Sequence, residues 1–192
     1  SCPDKPGVLA AVTQFLFKND AFMTEVSSFS AHDTKRFFNR IAFQKSDSSS
    51  FNLDTLENDF LTDLNDFNMD CSFYNAEVPC RTVIAVSKYS HCLNDIIHRW
   101  EVDALPIDIK AIVSNHDDAR SFSEWNKIPY HHLPVSKETK KDQEKLFKDI
   151  IEDNDAELLI LARYMQILSP EFLDGLKSDC INIHHSFLPG FK

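Results

Sequence analysis

The chain has 192 residues, 43% of them hydrophobic, enough to bury one substantial core or two small ones, so one or two domains are expected. Its 20 Lys and Arg stand against 30 Asp and Glu, a net charge of −10, which argues against a nucleic-acid groove because phosphate binding rests on basic surface. No stretch approaches the apolar length of a bilayer span, and Ser1-Cys2-Pro3-Asp4 lacks the basic and apolar regions of a signal peptide, so a soluble cytoplasmic protein with no membrane partner is expected.

The amino-terminal segment opens with Asp4-Lys5-Pro6-Gly7 and a helix in which Val8, Leu9, Val12, Phe15 and Leu16 follow helical spacing. Ala21 to Phe29 and Arg36 to Gln44 read as two strands about the polar turn Ala31-His32-Asp33-Thr34, with Phe37, Ile41 and Phe43 on one side. Ser46 to Ser50 is a polar loop. Leu53 to Phe67 reads as a second helix with Leu53, Leu56, Phe60 and Leu64 in register, and Met69 to Tyr74 as a last strand. The order over residues 1–75 is α-β-β-α-β.

That order resembles the ACT domain, a small ferredoxin-like regulatory fold of the α+β class, whose Asp-x-Pro-Gly turn is matched by Asp4-Lys5-Pro6-Gly7. The resemblance implies a strand ahead of the turn, read here as missing, so the chain is expected to begin inside this domain and to leave an open sheet edge. It also implies side-by-side pairing into a homo-oligomer. A small amino-acid effector would then sit near the turn and the end of the first helix, at Asp4, Lys5, Gly7 and Asn19. Plain dimer packing explains the same residues equally well.

Ala76 to Arg81 reads as a linker, because Pro79 cannot continue a strand ladder. A second domain is expected over residues 82–192. It alternates a strand at 82–87, a helix at 90–101 with Leu93, Ile96, Ile97 and Trp100 on one stripe, a strand at 109–114 and a helix near Asp118 to Asn126. A short extended piece, Tyr130 to Leu133, precedes a helix from Lys141 to Asp153 that buries Leu146, Phe147, Ile150 and Ile151, and Leu159 to Ala162 is a buried strand. This exchange of strand and helix predicts a doubly wound, mostly parallel α/β sheet.

Only Gly7, Gly175 and Gly190 occur, so neither a dinucleotide fingerprint nor a Walker loop is present, and no cofactor is expected. Five scattered cysteines without a C-x-x-C pair indicate neither a disulfide framework nor a zinc knuckle. His131-His132 and His184-His185 point opposite ways along strands and lack a nearby carboxylate or Cys set, so no metal is expected.

Two segments carry chemistry. After Leu159-Ile160-Leu161-Ala162, the run Arg163-Tyr164-Met165-Gln166-Ile167-Leu168-Ser169-Pro170 leads into another helix; Met165, Ile167 and Leu168 suit the wall of a flat ring, or equally an ordinary connection with three core side chains. In Ile181-Asn182-Ile183-His184-His185-Ser186-Phe187-Leu188-Pro189, period-2 alternation puts Asn182 and His184 on one face and Ile181 and Ile183 on the other, into apolar packing. The break at Pro189-Gly190 places the pair at the carboxyl end of its strand, where open α/β sheets bind ligands. An amide N–H can donate to a carbonyl oxygen becoming an oxyanion, and an imidazole carries a proton near neutrality. The same spacing also fits two side chains that merely satisfy hydrogen bonds at a strand end.

The longer string, Asn-Ile-His followed by Ser-Phe-Leu-Pro, resembles the folate-dependent formyltransferase signature, and the doubled His184-His185 is similar to the 10-formyltetrahydrofolate deformylases within it. The amine-acceptor transferases usually have Pro or Gly at that second position. The resemblance implies a formyltransferase domain after the ACT-like unit, with Met165, Gln166, Ile167, Leu168 and His185 on the folate substrate and Asn182 and His184 catalytic. It implies hydrolysis of 10-formyltetrahydrofolate to formate and tetrahydrofolate, in one-carbon and purine metabolism. A third catalytic group, an Asp, is expected beyond Lys192. Lys88-Tyr89-Ser90-His91 lacks the glycine-containing phosphate loop of the purine-pathway transferase. Formyl transfer to an amine, and an amino-acid sensor with a vestigial catalytic fold, stand as alternatives.

Overall fold

The computed structural model describes residues 1–45 and 52–182, and the chain divides into two compact units, Ser1–Asn75 and Ala76–Lys192. In the first unit β1 (Cys2–Pro3), α1 (Val8–Lys18), β2 (Ala21–Ala31), β3 (Arg36–Lys45) and α2 (Leu53–Asp63) follow in order. Gly7 makes the turn into α1 at φ 90, a conformation open to a residue without a Cβ. Val12, Phe15 and Leu16 of α1 and Leu56 and Phe60 of α2 pack with Ala21, Met23, Ile41 and Phe43. Met23 lies opposite Phe43 and Val26 opposite Ile41 across the antiparallel ladder, so both helices cover the same face of the sheet. Phe60 meets Phe15 and Phe73 edge to face at 5.1 and 5.5 Å, contacts that each add about 0.5–1.5 kcal/mol beyond area burial.

The sheet order β1-β3-β2 corrects two expectations. A two-residue strand stands ahead of the turn where none was expected, Cys2 and Pro3 pairing antiparallel with Phe37 and Arg36. Met69 to Tyr74 is not a strand, although Met69, Cys71 and Phe73 still alternate inward onto the core. Ser1 and Asp70 exchange two backbone hydrogen bonds, at 2.6 and 2.8 Å. The expected helix Leu53 to Phe67 divides as well: α2 ends at Asp63, and Asn65–Phe67 forms a separate 3₁₀ turn closed by Asn68 at φ 52.

The second unit runs β4 (Cys80–Val86), α3 (His91–Glu101), β5 (Ile107–Ser114), α4 (Arg120–Trp125), β6 (Tyr130–His132), α5 (Lys140–Asp153), β7 (Leu158–Ala162), α6 (Pro170–Asp174) and β8 (Asp179–Asn182). The strands lie in the order β6-β5-β4-β7-β8 with every pairing parallel. Val83, Ala85, Val113 and Leu159 pack on Phe147 and Ile151 of α5 and Phe172 of α6. The alternate residues Ile84, Val86, Ile112 and Ala162 pack on Leu93 and Ile97 of α3 and on Ala119. Helices therefore clad both faces, the arrangement that parallel strands with nearly continuous apolar runs require.

Details differ from the expectation. Cys80 and Arg81, expected in the linker, belong to β4, where the Cys80 N–H donates to the Pro106 carbonyl at 3.0 Å. The helix expected from Asp118 begins at Arg120. Leu146 is exposed, because it sits one residue, about 100° of helical turn, from the buried stripe through Gln143, Phe147 and Ile151. The loop expected at residues 46–50 lies outside the described residues. No described helix is long and apolar enough to cross a membrane.

Candidate active site

From β4 the chain moves to β5 on one side, and later returns to place β7 on the other. The connections diverge between β4 and β7, so the crevice beyond their carboxyl ends is the switch point where open sheets hold ligands. Three segments meet there: Ser87 to Tyr89 after β4, Asn115 after β5, and Arg163 to Leu168 after β7.

Ser87 is 4% exposed. Its Oγ accepts the backbone N–H of Met165 at 2.9 Å and donates to Oδ1 of Asn115 at 2.8 Å, so one hydroxyl ties three strand ends together. The far end of the loop is held from α5. The carboxylate of Glu144 accepts the Ser169 N–H at 2.9 Å and the Ser169 Oγ–H at 2.6 Å, and Oγ in turn accepts the Phe172 N–H at 3.1 Å as the N-cap of α6. Tyr164 is buried beside Phe147 and accepts from Nε2 of Gln143 at 3.1 Å. Burial pushes the Tyr164 phenol up, with the nearby Glu144 charge adding to it and the Gln143 bond opposing, so the hydroxyl stays neutral through the physiological range.

Pinned at Met165 and Ser169, the loop projects what lies at its crest. Met165 is 64% and Ile167 86% exposed, apolar surface of the kind that marks a binding site. Gln166 is half-buried between them. Leu168, expected as part of the same wall, turns inward and packs on the core around Phe147 and Phe172. Arg163 enters the loop at φ 58, its N–H donating to the Leu161 carbonyl at 3.0 Å and its guanidinium 4.5 Å from the centroid of the Tyr89 ring.

β8 brings Asn182 alongside. Asn182 is in parallel register with Leu161 and therefore shares the sheet face of Leu159 and Leu161, while Ile181, opposite Ile160, takes the other. Ile181 does not enter apolar packing as expected; it is 52% exposed, since β8 is the outermost of the described strands on that side. Ile183, His184 and His185, with the Leu188-Pro189 turn, lie outside the described residues.

The residues expected to hold an effector are not gathered in one copy of the chain. Asp4, Lys5 and Gly7 precede α1 and Asn19 follows it, about 16 Å apart at 1.5 Å per residue. The Asn19 Nδ2 already donates to the Phe15 carbonyl at 3.0 Å. Among the described residues no cluster of three or more His, Cys, Asp or Glu could hold a metal ion, and His132 lies 3.8 Å from Asp117.

A cavity of about 400 Å³ opens at the opposite, amino end of the sheet, lined by Arg81, Lys148, Glu152, Glu157 and Lys177 among others. Arg81 pairs with Glu157 and Lys177 with Glu152 there. Ser87, Asn115, Glu144 and Arg163 escaped the sequence reading. A signal existed for the first two: each is a polar residue just past an apolar run that ends at the crevice.

The second unit matches the formyl transferase family over residues 80–192. The whole chain is similar to the formyltetrahydrofolate deformylase of Corynebacterium sp. (strain P-1), at 39% identity over 191 residues, 100% of this chain and 66% of that protein. Among solved structures it superposes on a formyltetrahydrofolate deformylase from Burkholderia mallei with a TM-score of 0.84 at 39% identity, over 100% of this chain and 67% of that one. A formyltetrahydrofolate deformylase from Pseudomonas putida gives 0.84 at 40% identity, over 100% and 68%. The chain thus spans about two thirds of the length of these relatives.

Proposed function

Because the chain belongs to the formyl transferase family, and within it to the formyltetrahydrofolate deformylases, we propose that the full-length protein hydrolyses 10-formyltetrahydrofolate to formate and tetrahydrofolate. The observation that carries this reading is the crevice beyond β4 and β7, where a loop with exposed Met165 and Ile167 is anchored by Ser87 next to the strand bearing Asn182. Met165, Gln166 and Ile167 supply a flat apolar seat and backbone polar groups for the pterin, with Leu168 backing them from the core. Asn182 donates to the formyl oxygen as it gains charge, and His184 moves the proton between water and the leaving nitrogen. An Asp supplied from beyond Lys192 orients both, and His185 lines the substrate. The folate is the substrate, and neither cofactor nor metal takes part.

The first unit is read as an ACT-type regulatory domain that pairs the protein into a homo-oligomer and takes an amino-acid effector. Its support is the long edge strand β2, whose outer-face Phe29 is 65% exposed, and the separation of Asp4, Lys5 and Gly7 from Asn19, which a second copy would bridge. The protein works in the cytoplasm, in one-carbon and purine metabolism. Incubating full-length protein with 10-formyltetrahydrofolate in water alone tests the chemistry. Formate release without added amine is expected; release only with an amine acceptor would make it a transferase, and none under either condition a sensor.

A further inference from the structure

Arg163 is unlike the other arginines of its unit. Arg81, Arg99 and Arg120 each pair with a carboxylate, at 3.5, 2.8 and 2.8 Å, whereas Arg163 has no carboxylate partner among the described residues and lies instead over the face of Tyr89 at 4.5 Å. Its backbone is unusual too. Asp20, Lys35, Asn68, Asp103, Lys127 and Asp155, the other non-glycine residues at positive φ, close a helix or the β2–β3 turn. Arg163 ends a strand, at the switch point, two residues before the Met165 N–H that Ser87 holds. A non-glycine side chain kept in this conformation away from a helix end or a hairpin is a pointer to function.

A guanidinium laid on an aromatic face is attracted through its plane, which leaves the in-plane N–H donors along its edge for an acceptor. That fork matches a planar carboxylate with two parallel bonds. We propose that Arg163, positioned by Tyr89, binds a carboxylate in the crevice, either one carried on the folate or formate as it is released. This rests on the folate-hydrolysing reading above.

The test uses full-length protein with three variants. Arg163→Gly accepts the backbone conformation and removes the guanidinium, Arg163→Lys keeps charge without the fork, and Tyr89→Leu removes the ring. Dissociation constants of tetrahydrofolate, of 6-methyltetrahydropterin (which carries no carboxylate) and of formate in the presence of 6-methyltetrahydropterin are measured by calorimetry, beside kcat and KM for formate release. Arg163→Gly is expected to weaken the carboxylate ligand about 10–100-fold, with Lys intermediate and the thermal midpoint unchanged or raised. A loss for tetrahydrofolate but not 6-methyltetrahydropterin assigns the carboxylate to the folate tail; a loss for formate assigns it to the product. Unchanged constants for all three ligands in Arg163→Gly would overturn the assignment while leaving hydrolysis standing. Wild-type protein that binds folate without releasing formate would overturn the hydrolysis, and the same constants would still decide Arg163.

Discussion

β4 and β2 are both strands with β-branched and hydroxyl residues, yet every residue from Thr82 to Ser87 is buried, whereas along β2 only Ala21 is. The difference lies in the neighbours. β4 has a strand on each side and helices on each face; β2 is an edge strand of a sheet covered on one face. Burial on all sides allows β4 to present one polar group, Ser87, in a fixed place at its end. An edge strand instead leaves side chains and unpaired backbone groups for another partner.

The contrast breaks most sharply at the chemistry. His184→Ala and Asn182→Ala are expected to lower formate release about 10²–10⁴-fold and 10²–10³-fold, measured in full-length protein, while Phe29→Ser in β2 leaves turnover per site unchanged. Loss of turnover on changing Phe29 would mean that the two regions are not independent. Stability comes next. Phe147→Ala opens the core between α5 and the sheet and should cost about 3–5 kcal/mol in urea unfolding, against less than about 0.5 kcal/mol for Phe29→Ala on the bare face.

Ser87→Ala probes the polar end of β4 itself. It strands the Met165 N–H and should cost about 1–3 kcal/mol together with a raised KM, and Ser87→Thr should recover both; a raised KM without any stability loss would sink the tethering role. Gly7→Ala should cost about 1–2 kcal/mol from backbone strain alone, because nothing lies within 4 Å of an added Cβ at φ +90. The smallest effect on a single copy is the most telling for β2. Phe29→Lys should leave the unfolding midpoint nearly unchanged while shifting sedimentation from oligomer toward monomer, and an unaltered sedimentation profile would remove β2 from the proposed interface.

Periodicity made much of this legible in advance. The unbroken run Thr82 to Val86 signalled a doubly buried strand, and the stripes through α1, α3 and α5 signalled which helix faces go inward, because these patterns repeat within one or two turns of the chain itself. The same reading misjudged Met69 to Tyr74, whose alternation is real but whose backbone meets the start of the chain only through the Ser1–Asp70 pair among the described bonds, a long-range pairing that local spacing does not encode. Leu146 was misplaced for a related reason: an apolar side chain at the margin of a stripe faces in or out according to what another element puts beside it.

Residue order alone was thus enough for the alternation of strand and helix, the two-unit pattern and the Asn-x-His string, all of them short-range regularities. The crevice was not readable in that way. Ser87 reaches Met165 across 78 positions, and Arg163 covers Tyr89 because β7 lies next to β4 rather than next to β6. Such pairings are set by which strands become neighbours, a long-range packing outcome that local spacing does not encode.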